Sequence, residues 1–311
     1  MNDLEKLDLA EYIEKHLGID AGYVKEIAKR NDMYIRFTIP KQNKRERIVY
    51  QPSKELKVLQ RWIVSNILKP FPVSEFSRAY ARGDSIQKNA IDHRHSKYIL
   101  HMDIHEFFPS ITDTMMKQYL KNHEDIVDSI GLTGEDIQLL IELCFYRGKK
   151  LVIGSPASPT ISNIIMFDFD NELVDSLKQF GKFIYTRYAD DIYISSKNYI
   201  DPKVTDCVGG VLSKYGFSVN RTKTDFMNKS NRRLITGIVC DNNDDSLSVG
   251  NRKIKEYKRK LYNYLIKGTG NEGYLHGYLS FVKSVNMKQF ESIVTTYQKY
   301  DTKGFFRNTE A

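Results

Sequence analysis

The sequence predicts an α+β fold, and three observations carry that expectation. The order of elements mixes helices with strands. The clearest strand pair, Lys182-Phe-Ile-Tyr-Thr-Arg-Tyr188 and Ile192-Tyr-Ile-Ser195, is joined through Ala189-Asp190-Asp191 as a hairpin. Ahead of it, Ala157 to Phe180 is apolar-rich, entered through Pro156 and Pro159 and closed by Gly181, the pattern of a buried helix.

Residues 3–32 read as short amphipathic helices with Ile13, Leu17, Val24 and Ile27 on their inner faces. Arg36 to Ile39 and Arg47 to Tyr50 are short strands around the polar Lys41 to Glu46, a hairpin with a basic tip. Ser53 caps a helix carrying Leu56, Leu59, Trp62, Ile63 and Ile67 at helical spacing, and Pro70 stops it. Trp62 reads as a core residue. Tyr98 to Asp103 is a strand, and Asp113 to Lys121 and Gly134 to Tyr146 are helices. After the hairpin come a helix (Val204 to Tyr215), a strand (Phe217 to Asn220), a second strand running unbroken from Arg233 to Cys240, and a polar turn (Asp241 to Asp245). The region after Gly250 is helical in pattern, and neither an internal repeat nor a low-complexity linker interrupts the chain.

The chain has 311 residues, 41% of them apolar and 28% charged, which suits a globular protein of one large domain or two or three modest ones and excludes a disordered one. The three cysteines, Cys144, Cys207 and Cys240, form no C-x-x-C pair, so neither a disulfide framework nor a zinc ribbon is expected, and a reducing cytoplasm fits. Met1 to Gly18 alternates acids with Leu and Ile, unlike a signal peptide, and no stretch approaches the roughly 18 apolar residues of a membrane helix. The expectation is a protein neither secreted nor inserted in a membrane.

Residues 221–311 hold 17 basic and 9 acidic side chains, the whole net excess of +8. Asn251 to Tyr264 interleaves cations with three tyrosines, either a surface that pairs phosphates and offers rings to stack on or a solvated helix face.

Asp190 and Asp191 are adjacent acids at a hairpin turn, where acids are easily placed. Tyr188 and Ile192, however, bury the strands right up to them. Two carboxylates held together repel, and a bound cation relieves this; oxygen-only ligation points to Mg²⁺. A two-metal phosphoryl-transfer site needs a further carboxylate from another element. Asp103 is the best donor, ending a strand ahead of Ile104-His-Glu-Phe-Phe-Pro109, with a helix N-cap as its ordinary alternative. His93, His95, His101 and His105 crowd one region; His101 and His105 have the i, i+4 spacing of a zinc site but straddle a strand end. A satisfied buried histidine is the ordinary reading of His93.

Three segments in order, Met102-Asp-Ile-His-Glu-Phe-Phe-Pro-Ser110, Gly154-Ser-Pro-Ala-Ser-Pro159 and Tyr188-Ala-Asp-Asp191, resemble the A, B and C motifs of reverse transcriptases. Arg47-Ile-Val-Tyr-Gln-Pro-Ser53, Asn89-Ala-Ile-Asp-His93 and Ile235-Thr-Gly237 resemble the fingers segment, the Asn-Ala-x-x-His motif and the Val-Thr-Gly motif of bacterial retron reverse transcriptases. The resemblance spans about residues 36–300. It implies a right-hand polymerase fold: an N-terminal helical extension (1–35), fingers (36–97 with part of 111–160), a palm of antiparallel sheet plus helices (98–232), and a basic, mainly helical thumb (233–311) that binds RNA.

The resemblance also implies roles. Asp103, Asp190 and Asp191 would be the catalytic ligands of two Mg²⁺ ions, with the carbonyl of Ile104 as an extra one. Phe108 matches the gate that excludes a ribose 2′-OH, and Arg47 and Arg82 match fingers cations that hold the triphosphate. Lys223 falls where a lysine can protonate the pyrophosphate. Gly154 and Ser155 would sit against the nascent base pair. Asn89, His93, Thr236, Gly237, Arg252, Lys255, Lys258 and Arg259 would contact RNA. Ile153 stands where the family usually has Gln, removing an amide near the template–dNTP pair, and Ile235 stands where Val is usual.

The implied activity is RNA-directed DNA synthesis in the bacterial cytoplasm. It would be primed by a guanosine 2′-OH of a cognate non-coding RNA (msr-msd) and yield branched multicopy single-stranded DNA (msDNA). A place in anti-phage defence with a separate effector protein is implied too. Competing expectations are another bacterial reverse transcriptase, of abortive-infection or diversity-generating type, and a non-catalytic RNA-binding scaffold in which the acids merely form a turn.

Overall fold

A computed structural model describes residues 7–40, 46–302 and 304–309. Helices α1 (Leu9–Leu17) and α2 (Ala21–Lys29) form at the N-terminus because Asp8 and Asp20 cap their free amides and Gly18, at φ 67°, ends the first. Ile13, Val24 and Ile27 are buried as expected, while Leu17 is half-buried. Strands β1 (Tyr34–Pro40) and β2 (Glu46–Pro52) pair antiparallel from Tyr34↔Pro52 to Pro40↔Glu46, and the predicted basic tip, Lys41 to Arg45, lies outside the described residues. Helix α3 (Lys54–Asn66) is capped by Ser53. Trp62 departs from its core assignment: it is half-buried, its ring edge-on to Tyr12 at 5.5 Å, because it faces the seam with α1.

Helix α4 (Ile86–His93) leads into β3 (Tyr98–Asp103), followed by the short helices α5 (Phe107–Ser110), α6 (Asp113–Asn122) and α7 (Glu124–Ile130), then α8 (Gly134–Cys144) and the long α9 (Ser158–Leu177). The hairpin is β4 (Ile184–Tyr188) with β5 (Asp191–Ser196); α10 (Lys203–Lys214) and β6 (Asp225–Asn228) follow. These strands make one antiparallel sheet in the order β4-β5-β3-β6, in register Asp103↔Asp191, His101↔Tyr193 and His101↔Asp225. The predicted strand at 217–220 is reduced to a single bridge, Ile104↔Val219.

Because strand side chains alternate, the sheet feeds two cores. Leu100, Met102, Ile192 and Ile194 point into the large cluster built on α9 and α10, whereas Ile99, Tyr193 and Met227 point the other way. That second cluster is completed by the C-terminal elements: a small sheet of β7 (Arg233–Ile235), β8 (Ile238–Cys240) and β9 (Leu247–Ser248), then α11 (Asn251–Lys267), α12 (Glu272–Val285) and α13 (Met287–Tyr297). The unbroken strand expected over 233–240 is instead a hairpin, because Thr236 (φ 45°) and Gly237 (φ 86°) both turn left-handed. Of the three tyrosines expected to offer rings to a ligand, Tyr257 lies in the core, stacked on Tyr278, and Tyr262 is exposed. Among the described residues no helix is long and apolar enough to cross a membrane.

Candidate active site

The three acids meet where β3 ends beside the β4–β5 turn. Asp103 and Asp191 are register partners, and the Ile104 N–H donates to the Asp190 carbonyl at 2.9 Å, tying the turn to the next strand. The turn is tight because Ala189 takes φ 57°, uncommon for a residue with a Cβ. Arg187 holds it from beneath, donating to the Ala189 carbonyl at 3.3 Å while its fully buried guanidinium grips Asp170 of α9 with two bonds of 2.8 Å. Asp170 also accepts from the Tyr185 hydroxyl at 2.6 Å.

Each carboxylate has a different surrounding. Asp103 is 4% exposed; Asn220 Nδ2 donates to its Oδ1 at 3.0 Å and Lys223 Nζ lies 2.5 Å from its Oδ2. Asp191 accepts from His101 Nε2 at 2.7 Å. Burial, and then the charges of Asp191 and Asp103, push the Asp190 carboxyl up to about 6. Such a cluster of oxygen donors under mutual repulsion fits a divalent cation. Among the described residues no three donors close into a finished cage; Lys223 and Asn220 hold Asp103 and His101 holds Asp191, so a cation would take over contacts that the lysine now makes.

Phe108 is half-buried beside Phe107 at 5.4 Å, with the Tyr80 ring 6.4 Å away. Tyr80 sits at φ 65°, its segment laid along β4 by the Arg78 N–H to the Arg187 carbonyl at 2.8 Å. Sequence reasoning missed it, and the aromatic in Ala79-Tyr-Ala-Arg82 was the available signal. Arg47 and Arg82 are exposed. Gly154 has a reason other than the one expected. A Cβ there would meet the Tyr50 carbonyl at 2.5 Å, so the glycine lets β2 approach, and Tyr50 N–H donates to the Ile153 carbonyl at 2.8 Å. Ser155 likewise turns inward, donating to buried Gln60 at 3.1 Å instead of facing a base pair.

On the RNA side, two expectations are corrected. Asn89 and His93 are fully buried, so neither side chain can touch RNA as the chain stands. His93 lies 2.7 Å from both Thr186 Oγ1 and Ser195 Oγ, and Asn89 accepts from Thr186, so the pair fastens α4 to the sheet. Thr236 donates its N–H to the Tyr193 hydroxyl at 2.9 Å, and Lys253 reaches the Gly237 carbonyl at 3.2 Å. Arg252, Lys255 and Arg259 are exposed on α11 and Lys258 is half-buried. A cavity of about 360 Å³ opens between the two regions, walled by His101, Asp191, Tyr193, Leu234, Thr236 and Gly237. His101 and His105 do not converge on a zinc site: His101 points to Asp191, and His105 is exposed.

An antiparallel sheet carrying three acids at one end and flanked by a helical C-terminal part is the layout of a nucleic-acid polymerase. The family model for reverse transcriptase (RNA-dependent DNA polymerase) matches residues 39–240, and the chain belongs to that family, with its right-hand fold of fingers, palm and thumb and its RNA-directed DNA polymerase activity. Within the family it is of the bacterial retron type. It is 30% identical to the retron Ec86 reverse transcriptase of Escherichia coli over 87% of this chain and 82% of that protein. It is also 30% identical to the retron Mx162 reverse transcriptase of Myxococcus xanthus over 77% of this chain, spanning 55% of that longer protein. Among solved structures, a Candida albicans telomerase in complex with a TWJ fragment of telomeric RNA aligns at TM-score 0.49 and 15% identity over 89% of this chain and 56% of that one. Reverse transcriptases use divalent metal ions, and the acid cluster suits them.

Proposed function

We propose that the chain reverse transcribes a cognate non-coding RNA, adding the first deoxynucleotide to a guanosine 2′-OH of that RNA and so producing branched msDNA. What carries this reading is the register that sets Asp103 against Asp191 with Asp190 in the adjoining turn. Asp103, Asp190, Asp191 and the Ile104 carbonyl would hold two Mg²⁺ ions. When bound, these lower the pKa of the attacking hydroxyl and offset charge on the pyrophosphate. Lys223, once released from Asp103, would give a proton to the leaving pyrophosphate. Phe108 blocks a 2′-OH on the incoming nucleotide, and Arg47 and Arg82 draw its triphosphate inward. The cavity beside Asp191 is large enough for the nucleoside that carries the attacking hydroxyl.

In this reading residues 36–97 with part of 111–160 act as fingers, 98–232 as palm and 233–311 as thumb, behind the N-terminal extension 1–35. The exposed cations of α11 grip RNA by phosphates and shape. The site of action is the bacterial cytoplasm, in anti-phage defence alongside a separate effector protein. The test is incorporation of labelled dNTPs on a primed RNA template with Mg²⁺, with and without the neighbouring non-coding RNA. Asp190→Ala with Asp191→Ala is expected to cut the rate by at least about 10³-fold at unchanged melting temperature. Equal products from both proteins would favour a scaffold.

A further inference from the structure

Asp103 is held by Asn220 and Lys223, and the Asp190 backbone by Ile104; Asp191, with a side chain 31% exposed at the cavity wall, is held by His101. The cavity is walled in part by motif residues, Tyr188, Asp191, Thr236 and Gly237, but the histidine lies outside every motif that marked this chain as a polymerase. On the cleft face of the sheet, His101 stands directly across from Tyr193 and diagonally from Asp191. Its ring stacks on Tyr193, centroids 4.7 Å apart at 24°, and Nε2 reaches Asp191 Oδ1 at 2.7 Å. A carboxylate only accepts, so Nε2 carries the hydrogen. Tyr193 cannot swing away, being 3% exposed with its hydroxyl accepting the Thr236 N–H at 2.9 Å. The plate under the imidazole is thus fixed at both ends. Asp225, across from His101 on β6, is exposed and leaves Asp191 as the carboxylate the ring serves.

We propose that His101 is a positioning residue for the polymerase reaction: stacked on Tyr193, it locks Asp191 in the rotamer that presents its free oxygen to the metal. The proposal rests on Asp191 being a metal ligand. A ring that donates from a fixed plate removes the rotamer freedom that Asp191 would otherwise lose on binding a cation. His101→Phe keeps the stacking and deletes the donor; His101→Gln returns an N–H close to the Nε2 position.

The decisive measurement is Mn²⁺ binding to the full chain on a primed RNA template, followed by the electron paramagnetic resonance of the free ion, with Mg²⁺ titrations of dNTP incorporation beside it. His101→Phe is expected to weaken Mn²⁺ binding about tenfold, and to raise the Mg²⁺ midpoint by the same factor, while His101→Gln stays within about threefold of wild type. Mn²⁺ binding by His101→Phe within about twofold of wild type overturns the proposal, as does equal loss in both variants, which would assign the effect to packing. Asp191→Asn is the control. If it binds Mn²⁺ as wild type does, the ligand assignment itself fails; if it loses binding while His101→Phe does not, only the role of His101 fails.

Discussion

His93 sits at zero exposure with its two nitrogens against the hydroxyls of Thr186 and Ser195, and burial pushes its imidazole down to about 3. A neutral ring satisfies both hydroxyls, as donor to one and acceptor from the other. Its folded pKa lies below the unfolded value of 6.5, so its contribution to stability is complete above that pH and is lost as pH falls toward 3. Wild-type stability should therefore drop by about 1.4 kcal/mol per pH unit below about 6.5 from this group alone. Urea unfolding at pH 7 and pH 5 checks this: His93→Gln, although less stable at pH 7, should lose about 2 kcal/mol less than wild type between the two. The three clustered acids were legible in the sequence because they stand adjacent or at a strand end. The burial of His93 was its ordinary reading in the sequence, but its partners were not legible, because they lie 93 and 102 residues away in the chain.

The β4–β5 hairpin rests on a device that its own sequence does not announce. Arg187 carries the turn on one side and Asp170 on the other, with neither side chain exposed. Removing one member of a buried pair strands the other charge, so Arg187→Met should cost about 3–5 kcal/mol by denaturant unfolding. Asp170→Asn should cost a similar amount, since it leaves the guanidinium without its counter-charge. A loss under about 1 kcal/mol in both would mean that water reaches the pair. The hairpin itself was readable from β-branched and aromatic alternation. The break at Thr236 was hidden because Thr favours extended backbone, and only the glycine after it marked a turn.

Over the whole molecule, the basic final third was evident from composition, and α11 carries it as an amphipathic helix: Ile254, Tyr257, Leu261 and Leu265 are buried, with cations on the other face. The same periodicity explains why Tyr257 offers no ring to a ligand, which an unphased list of residues could not reveal. Neutralising Lys255, Lys258 and Arg259 together should weaken binding of the cognate RNA and lower the slope of log affinity against log salt by about two units. An unchanged slope, measured by filter binding across a salt series, would remove α11 from the RNA interface.

The C-terminal helices do not own their core. Ala90, Ile99, Tyr193 and Met227, contributed by α4, β3, β5 and β6, fill the same cluster as Leu261, Leu275 and Leu279. Exchanging residues 233–311 for those of a relative, to redirect which RNA is copied, would therefore graft a foreign lid onto a mismatched socket. A chimera that carries these four socket residues along with the helices should fold where the bare graft aggregates. In this chain, any exchange of the C-terminal helices has to be written into the polymerase body as well.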